Sequence, residues 1–130
     1  MIALDTNVLV RYFLRDDPEQ AAAAKHLLER ELTTDNPGFV SLTVIAELIW
    51  VLRKVYRRSA EEIGAIVTHM LQAVEIEIES ENVLRSALRR SHGDLTDGII
   101  HEIGIQHGCE RTVTFDRRFA RLPGVELLGR

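Results

Sequence analysis

The chain has 130 residues, 45% of them apolar and 28% charged, which suits a single soluble-type domain spanning residues 1–130. Its one cysteine, Cys109, excludes an intramolecular disulfide. There is no Cys/His cluster with zinc spacing, and no apolar run nears the roughly 18–20 residues of a membrane span, so a reduced, cytoplasmic protein is expected. A net charge of −4, from 16 Lys+Arg against 20 Asp+Glu, is poor for gripping nucleic acid by bulk electrostatics, yet it leaves room for a nucleic-acid enzyme whose acids gather around metal.

In "IALDTNVLV", residues 2–4 read as a short buried strand that delivers Asp5 at its end. "NVLVRYFL" then puts Val8, Leu9, Tyr12 and Phe13 on one helical face. Asp17 and Pro18 start the helix "PEQAAAAKHLLEREL" as N-cap and first helical residue, and "TTDNPG" ends it. "GFVS" at 38–41 is a second strand. "TVIAELIWVLRKVY" is an amphipathic helix with Val44, Ile45, Leu48, Val51, Leu52 and Val55 as its apolar stripe. Ser59 and Glu62 form a capping box for "AEEIGAIVTHMLQ". "VEIEI" alternates as a strand does, and Ser80 caps a helix reaching about Ser91. Asp94 opens "LTDGIIHEIGIQH", which Gly108 closes. "TVTF" at 112–115 and "VELL" at 125–128 are the last strands. Strands alternating with helices throughout argue for an α/β fold, with a mostly parallel central sheet of about five short strands and helices on both faces.

In open parallel sheets, sites form beyond the carboxyl ends of the strands. That rule selects Asp5, after the first strand, and Asp116, after "TVTF". Either alone is explained by a turn or helix cap; two at matching positions point further. Asp97 falls near the third position of the helix opened by Asp94, where the dipole favours a carboxylate. Asp94 with Asp97 can be a capping arrangement only. Yet Gly98, Ile99 and Ile100 make this helix start apolar, and a carboxylate entering a buried region needs a partner. Glu47 stands among Ala46, Leu48, Ile49 and Trp50, with Arg53 and Lys54 outside the favoured pairing spacing. A ligand or hydrogen-bonded role suits it better than a solvated face.

If Asp5, Glu47, Asp97 and Asp116 converge, their like charges need either protonation or a divalent cation among them. Oxygen-only ligands suit Mg²⁺ or Mn²⁺ rather than zinc. A water activated by such an ion can attack phosphorus. Thr6 and Asn7 are placed to orient Asp5 or touch phosphate, with helix capping as the simpler role for Asn7.

"LDTNVLV", "TVIAELIWVL", "GDLTDGIIHEIGIQHGC" and "TVTFDRRF" resemble the four motifs of PIN-domain ribonucleases, in the same order and over nearly the whole chain. The resemblance is closest to VapC-type toxins of type II toxin–antitoxin systems. Carried over residue by residue, the family's catalytic, metal-holding acids fall on Asp5, Glu47 (through water), Asp97 and Asp116, with Asp94 as an accessory acid. It implies a PIN-like, Rossmann-like three-layer fold and Mg²⁺- or Mn²⁺-dependent endonucleolytic cleavage of RNA. A homodimer and a cognate antitoxin that blocks the site are implied as well. All four acids are present, so an active enzyme is expected.

Other features read more plainly. Arg53, Lys54, Arg57 and Arg58 suit a solvated helix end. Arg117 and Arg118 stand beside Asp116, with Arg117 as the candidate RNA contact. His92, His101 and His107 surround the Asp97 helix and are expected as surface or core histidines. Trp50 suits the core or a dimer interface, and Cys109 a small buried site. Two other readings compete. A haloacid-dehalogenase-like phosphatase needs a second aspartate where this chain has Asn7. A non-catalytic receiver-like interaction domain would make the acids mere caps, which Glu47 disfavours.

Overall fold

Helix starts follow the side chains that can satisfy their orphan N–H groups. Asp17, Ser41, Ser59 and Asp94 accept hydrogen bonds from the backbone N–H of Gln20, Val44, Glu62 and Thr96 at 3.1, 3.1, 3.1 and 2.8 Å. Glu62 returns the bond to the Ser59 N–H at 3.0 Å, completing the expected capping box. The computed structural model describes residues 1–90 and 93–129, so the expected helix end at Ser91, and His92, lie outside the described residues. Its chain forms two compact units, Met1–Glu79 and Ser80–Arg130.

In the first unit, strands β1 (Ile2–Ala3), β2 (Gly38–Val40) and β3 (Ile76–Ile78) form a parallel sheet in the order β1-β2-β3. Ile2 pairs with Gly38, and Gly38 in turn with Ile76. A Cβ at Gly38 would lie 2.8 Å from side-chain atoms of both Leu4 and Leu32, so only glycine lets those leucines close over the strand. Helices α1 (Thr6–Leu14) and α2 (Pro18–His26) connect β1 to β2, and α2 continues as a π-helical turn over Leu27–Glu31. Helices α3 (Leu42–Lys54) and α4 (Ala60–Gln72) connect β2 to β3.

The core of this unit is carried by α3. Ile45, Leu48, Ile49 and Leu52 are buried, each worth about 1.5–3 kcal/mol of burial. The apolar face is thus turned from the expected stripe: Ile49 replaces Val55, which is exposed at the C-cap of the helix, and Val44 and Val51 are half-buried. Trp50, expected in the core or an interface, is 53% exposed, because successive helical positions diverge by about 100° and Ile49 takes the inward one. In α1, Leu9 and Val10 are buried, whereas Val8, Tyr12 and Phe13 are half-buried. Lys54, Arg57 and Arg58 are solvated as expected.

In the second unit, α5 (Glu81–Arg90) packs on α6 (Leu95–Gln106), and strands β4 (Thr112–Thr114) and β5 (Val125–Leu127) pair in parallel. A 3₁₀ turn, Phe119–Arg121, lies between those strands. α6 ends in a Schellman arrangement. Gly108, at φ 80, donates to Ile105 O at 2.9 Å, and Cys109 to Gly104 O at 2.9 Å. The reversal turns Cys109 outward, so it is exposed rather than buried. Among the described residues five short strands, three in one sheet and two in another, all pair in parallel and match the expected α/β class. Among the described residues no helix is long and apolar enough to cross a membrane.

Candidate active site

Parallel pairing brings the carboxyl ends of β1, β2 and β3 to one sheet edge, where Asp5, Ser41 and Glu79 follow the strands. Glu79 is already employed there: its Oε1 accepts from the Leu42 N–H at 2.9 Å, at the start of α3. Asp5 is not. It occupies the N-cap position of α1 in extended backbone (φ −84, ψ 159), but its side chain makes no capping hydrogen bond. An exposed carboxylate therefore stands at the sheet edge without the structural task that sequence alone would have assigned to it.

The next residue supplies the tertiary link. Thr6 is buried, and its Oγ1 donates a hydrogen bond to Oε1 of Glu47, forty-one positions along the chain. The bond crosses from the first turn of α1 to the second turn of α3. Glu47 is exposed, on the same face of α3 as Thr43, Trp50 and Lys54, which corrects the expectation against a solvated face; one of its two oxygens is nonetheless held by the buried Thr6 hydroxyl. The expected service of Thr6 to Asp5 is thereby corrected, since the hydroxyl is directed to Glu47. Asn7 is exposed inside α1, so it does not cap that helix. It lines a cleft of about 300 Å³ with Arg11 and Gln20.

In the second unit, Asp94 is the N-cap of α6, with its Oδ1 on the Thr96 N–H. Asp97, in the first turn, is half-buried. Both line a cleft of about 810 Å³ together with Arg90, Gly93, His101 and Arg118. Gly98 and Ile99 behind Asp97 are buried as expected, but Ile100 is exposed. Asp116 follows β4 and caps the turn after it. Its Oδ1 accepts from the N–H groups of Arg118 at 2.8 Å and Phe119 at 3.4 Å, and its own N–H donates to Thr114 Oγ1 at 3.0 Å. Asp116 and the exposed Arg117 do not line the cleft; Arg118 does.

His101 is a core histidine, as anticipated. Its Nε2 lies 3.0 Å from the Pro123 carbonyl, which can only accept, so Nε2 carries a proton; Nδ1 is 2.7 Å from Thr112 Oγ1. With both ring nitrogens occupied, it ties α6 to β4 and to the turn before β5.

The candidate acids divide between the units: Asp5 and Glu47 in the first, Asp94, Asp97 and Asp116 in the second. Among the described residues, neither unit by itself gathers three or more His, Cys, Asp or Glu side chains into a metal-holding group. The donor chemistry nevertheless fits a hard divalent cation. Every candidate donor is a carboxylate oxygen, Asp5 is not spent on capping, and Glu47 is pre-oriented by Thr6.

Comparison with known proteins gives this geometry a context. The PIN domain family matches residues 2–125. The chain belongs to the PIN domain family. It is 27% identical over 125 residues to a VapC ribonuclease of Aquifex aeolicus (strain VF5), covering 94% of this chain and 92% of that protein. A crystal structure of VapBC2 from Rickettsia felis bound to a DNA fragment from their promoter aligns at 22% identity and a TM-score of 0.37, over 98% of each chain. The four stretches that resembled PIN motifs all fall within the matched residues of the family.

The sequence set Arg117 and Arg118 together beside Asp116 and did not single out Arg90. Composition gives no reason to choose Arg118 over Arg117. Only the cleft separates them.

Proposed function

We propose that this PIN-domain protein is a VapC-type endoribonuclease, the toxin of a toxin–antitoxin pair, acting in the cytoplasm as one domain over residues 1–130. Its substrate is RNA, its cofactor Mg²⁺ or Mn²⁺, and its partners are a cognate antitoxin and a second copy of itself. The observation that carries this reading is the Thr6–Glu47 hydrogen bond beside an uncapping Asp5, in a chain whose family match runs over residues 2–125.

Asp5, Glu47, Asp97 and Asp116 are the residues proposed to hold the ion, with Asp94 as an accessory acid. When bound, such an ion supplies charge neutralisation at the phosphate and lowers the pKa of a coordinated water. The chain's own residues do the rest. Thr6 fixes the Glu47 carboxylate so that its second oxygen points in a set direction. The β1–α1 junction places Asp5 at the sheet edge. Both effects lower the cost of assembling a multi-carboxylate site.

Two rival readings lose support on particular residues. The phosphatase reading lacks its second aspartate at Asn7. The receiver-like reading treats the acids as caps, which suits Asp94 and Asp116 but neither Asp5 nor Glu47.

The test is cleavage of labelled RNA by the purified protein with Mg²⁺ or Mn²⁺, beside Asp5→Asn and an excess of chelator. Cleavage is expected only in the metal-supplied wild type. Cleavage that persists in chelator or in Asp5→Asn would sink the metal–carboxylate mechanism.

A further inference from the structure

The cleft of the second unit is walled by arginines that the acid-centred reading leaves without a role. Arg89, Arg90, Arg118 and Arg121 all line it, beside Asp97. Its volume of about 810 Å³ lies in the range of roughly 300–1,000 Å³ that accommodates small organic ligands, so it has room for far more than an ion.

Arg89 and Arg90 are tied by side-chain contacts, Arg89 through its Nη2, which donates to Ser86 Oγ at 3.2 Å. Arg90 ends α5, and its Nη1 lies 3.2 Å from Oε1 of Glu102 on α6. The Arg90 side chain is 64% exposed while that of Glu102 is 9% exposed, so a buried anion anchors a guanidinium that still presents donors to the cleft. A guanidinium carries five N–H donors, and one carboxylate oxygen occupies few of them. Arg118 is exposed; its backbone N–H donates to Asp116 Oδ1, and its guanidinium lies along Gly93. A Cβ at position 93 would come 3.2 Å from Arg118 Nε and 3.3 Å from Nη2, so the absence of a side chain there lets the guanidinium lie close.

Guanidinium forks match the oxygens of a phosphodiester, which they bind bidentately and without reading the base. A chain of net charge −4 has no general attraction for nucleic acid, so any grip on it must come from a local array of this kind. We propose that Arg90 and Arg118 bind the backbone phosphates of the RNA beside Asp97, and that they do so without metal. The proposal rests on the ribonuclease reading and names the residues that hold its substrate.

The test is fluorescence anisotropy of the full chain with a short fluorescein-labelled single-stranded RNA of mixed sequence, in EDTA, over a salt series. Arg90→Ala and Arg118→Ala are each expected to weaken binding roughly tenfold, the scale of losing a charged hydrogen-bond pair. Each should also flatten the salt slope by about 0.7. Arg117→Ala, beside Arg118 but outside the cleft, should lose less. Arg90→Lys and Arg118→Lys keep the charge but not the fork, and should fall between wild type and alanine.

Unchanged affinity and slope in both alanine variants overturns the proposal, as does a loss in Arg117→Ala equal to that in Arg118→Ala. Polyglutamate that displaces the RNA at equal charge concentration also overturns it, in favour of a docking face for an acidic protein. If circular dichroism shows an alanine variant unfolded, the lysine variant decides: affinity equal to wild type is then the overturning result. Wild type that binds RNA through these arginines but never cleaves it with metal would instead refute the nuclease reading and leave the phosphate grip standing.

Discussion

The candidate acids of the two units are employed differently, although Asp17, Glu62 and Glu79 of the first unit bind backbone as well. In the second, Asp94 and Asp116 each bind backbone N–H groups, at 2.8 Å in the shorter bond of each, and so hold together a helix start and a turn. In the first, Asp5 sits at a cap position without capping, and Glu47 is tied to another side chain, the buried hydroxyl of Thr6. An acid that binds backbone contributes to the fold whether or not it has another role. Asp5, positioned yet making no capping bond, is better explained by a ligand, and Glu47 keeps one oxygen beyond its bond to Thr6. The first unit therefore offers the cleaner functional signal, although the second holds the larger cleft.

The largest effect that would break this contrast lies in activity. Asp5→Asn and Glu47→Gln should each lower metal-dependent RNA cleavage by roughly 100-fold or more, above the 10–100-fold typical of removing an outer-shell partner. Isothermal titration with Mn²⁺ should show weakened binding in the same variants. Retained cleavage in either would remove that residue from the set.

Thr6→Val comes next. It keeps the shape of a buried side chain but deletes the donor to Glu47, so cleavage should fall about tenfold, with stability lowered by about 1 kcal/mol. Thr6→Ser should restore most of the activity. A valine variant as active as wild type would reduce the hydrogen bond to packing.

Stability alone gives the sharpest comparison at intermediate size. Asp94→Ala and Asp116→Ala should each cost about 1 kcal/mol in urea unfolding through loss of a cap, whereas Asp5→Ala should change stability by less than about 0.5 kcal/mol. Equal losses at all three positions would erase the distinction between the units.

The smallest effect is on pH dependence, and it serves as a control inside the first unit. Tyr56 donates to Asp16 at 2.6 Å and Arg11 pairs with Asp16 at 3.1 Å. The Tyr56 hydrogen bond, then Arg11, holds the Asp16 carboxyl below its ordinary value of 3.8. Asp16 in turn, with burial, raises the Tyr56 phenol above 10.0. A depressed carboxyl contributes stability above its ordinary value and loses it as pH falls through the folded one. A raised phenol contributes below pH 10.0 and loses that as pH rises through its folded value. Tyr56→Phe should flatten the melting temperature against pH at both edges, with cleavage at neutral pH unchanged. A profile identical to wild type would show the cluster to be energetically silent.

Local signals were legible where the chemistry is local. Asp17-Pro18, the Ser59/Glu62 box, Asp94 and Gly108 all act at helix ends as their residue types require, because a cap needs only neighbours within about four residues. Readings that depended on direction were weaker. Val55 and Trp50 lie roughly 100° or more from Ile49 around one helix axis, and only packing decides which of them turns inward. Cys109 looked buried by type but sits just past a left-handed glycine that carries it out to solvent.

By itself, then, the sequence determined the alternation of strands and helices, the capping residues, the order of four acid-bearing motifs and, through them, the PIN family. Tertiary structure alone decided which acids are employed by the fold. The partner of Glu47 is Thr6, distant in sequence and brought close by parallel pairing of β1 with β2. The same holds for Arg118: it differs from Arg117 in facing the cleft beside Asp97, which is a fact of direction and not of composition. Side-chain chemistry is written residue by residue, but its direction is set by backbone geometry that no single stretch of sequence contains.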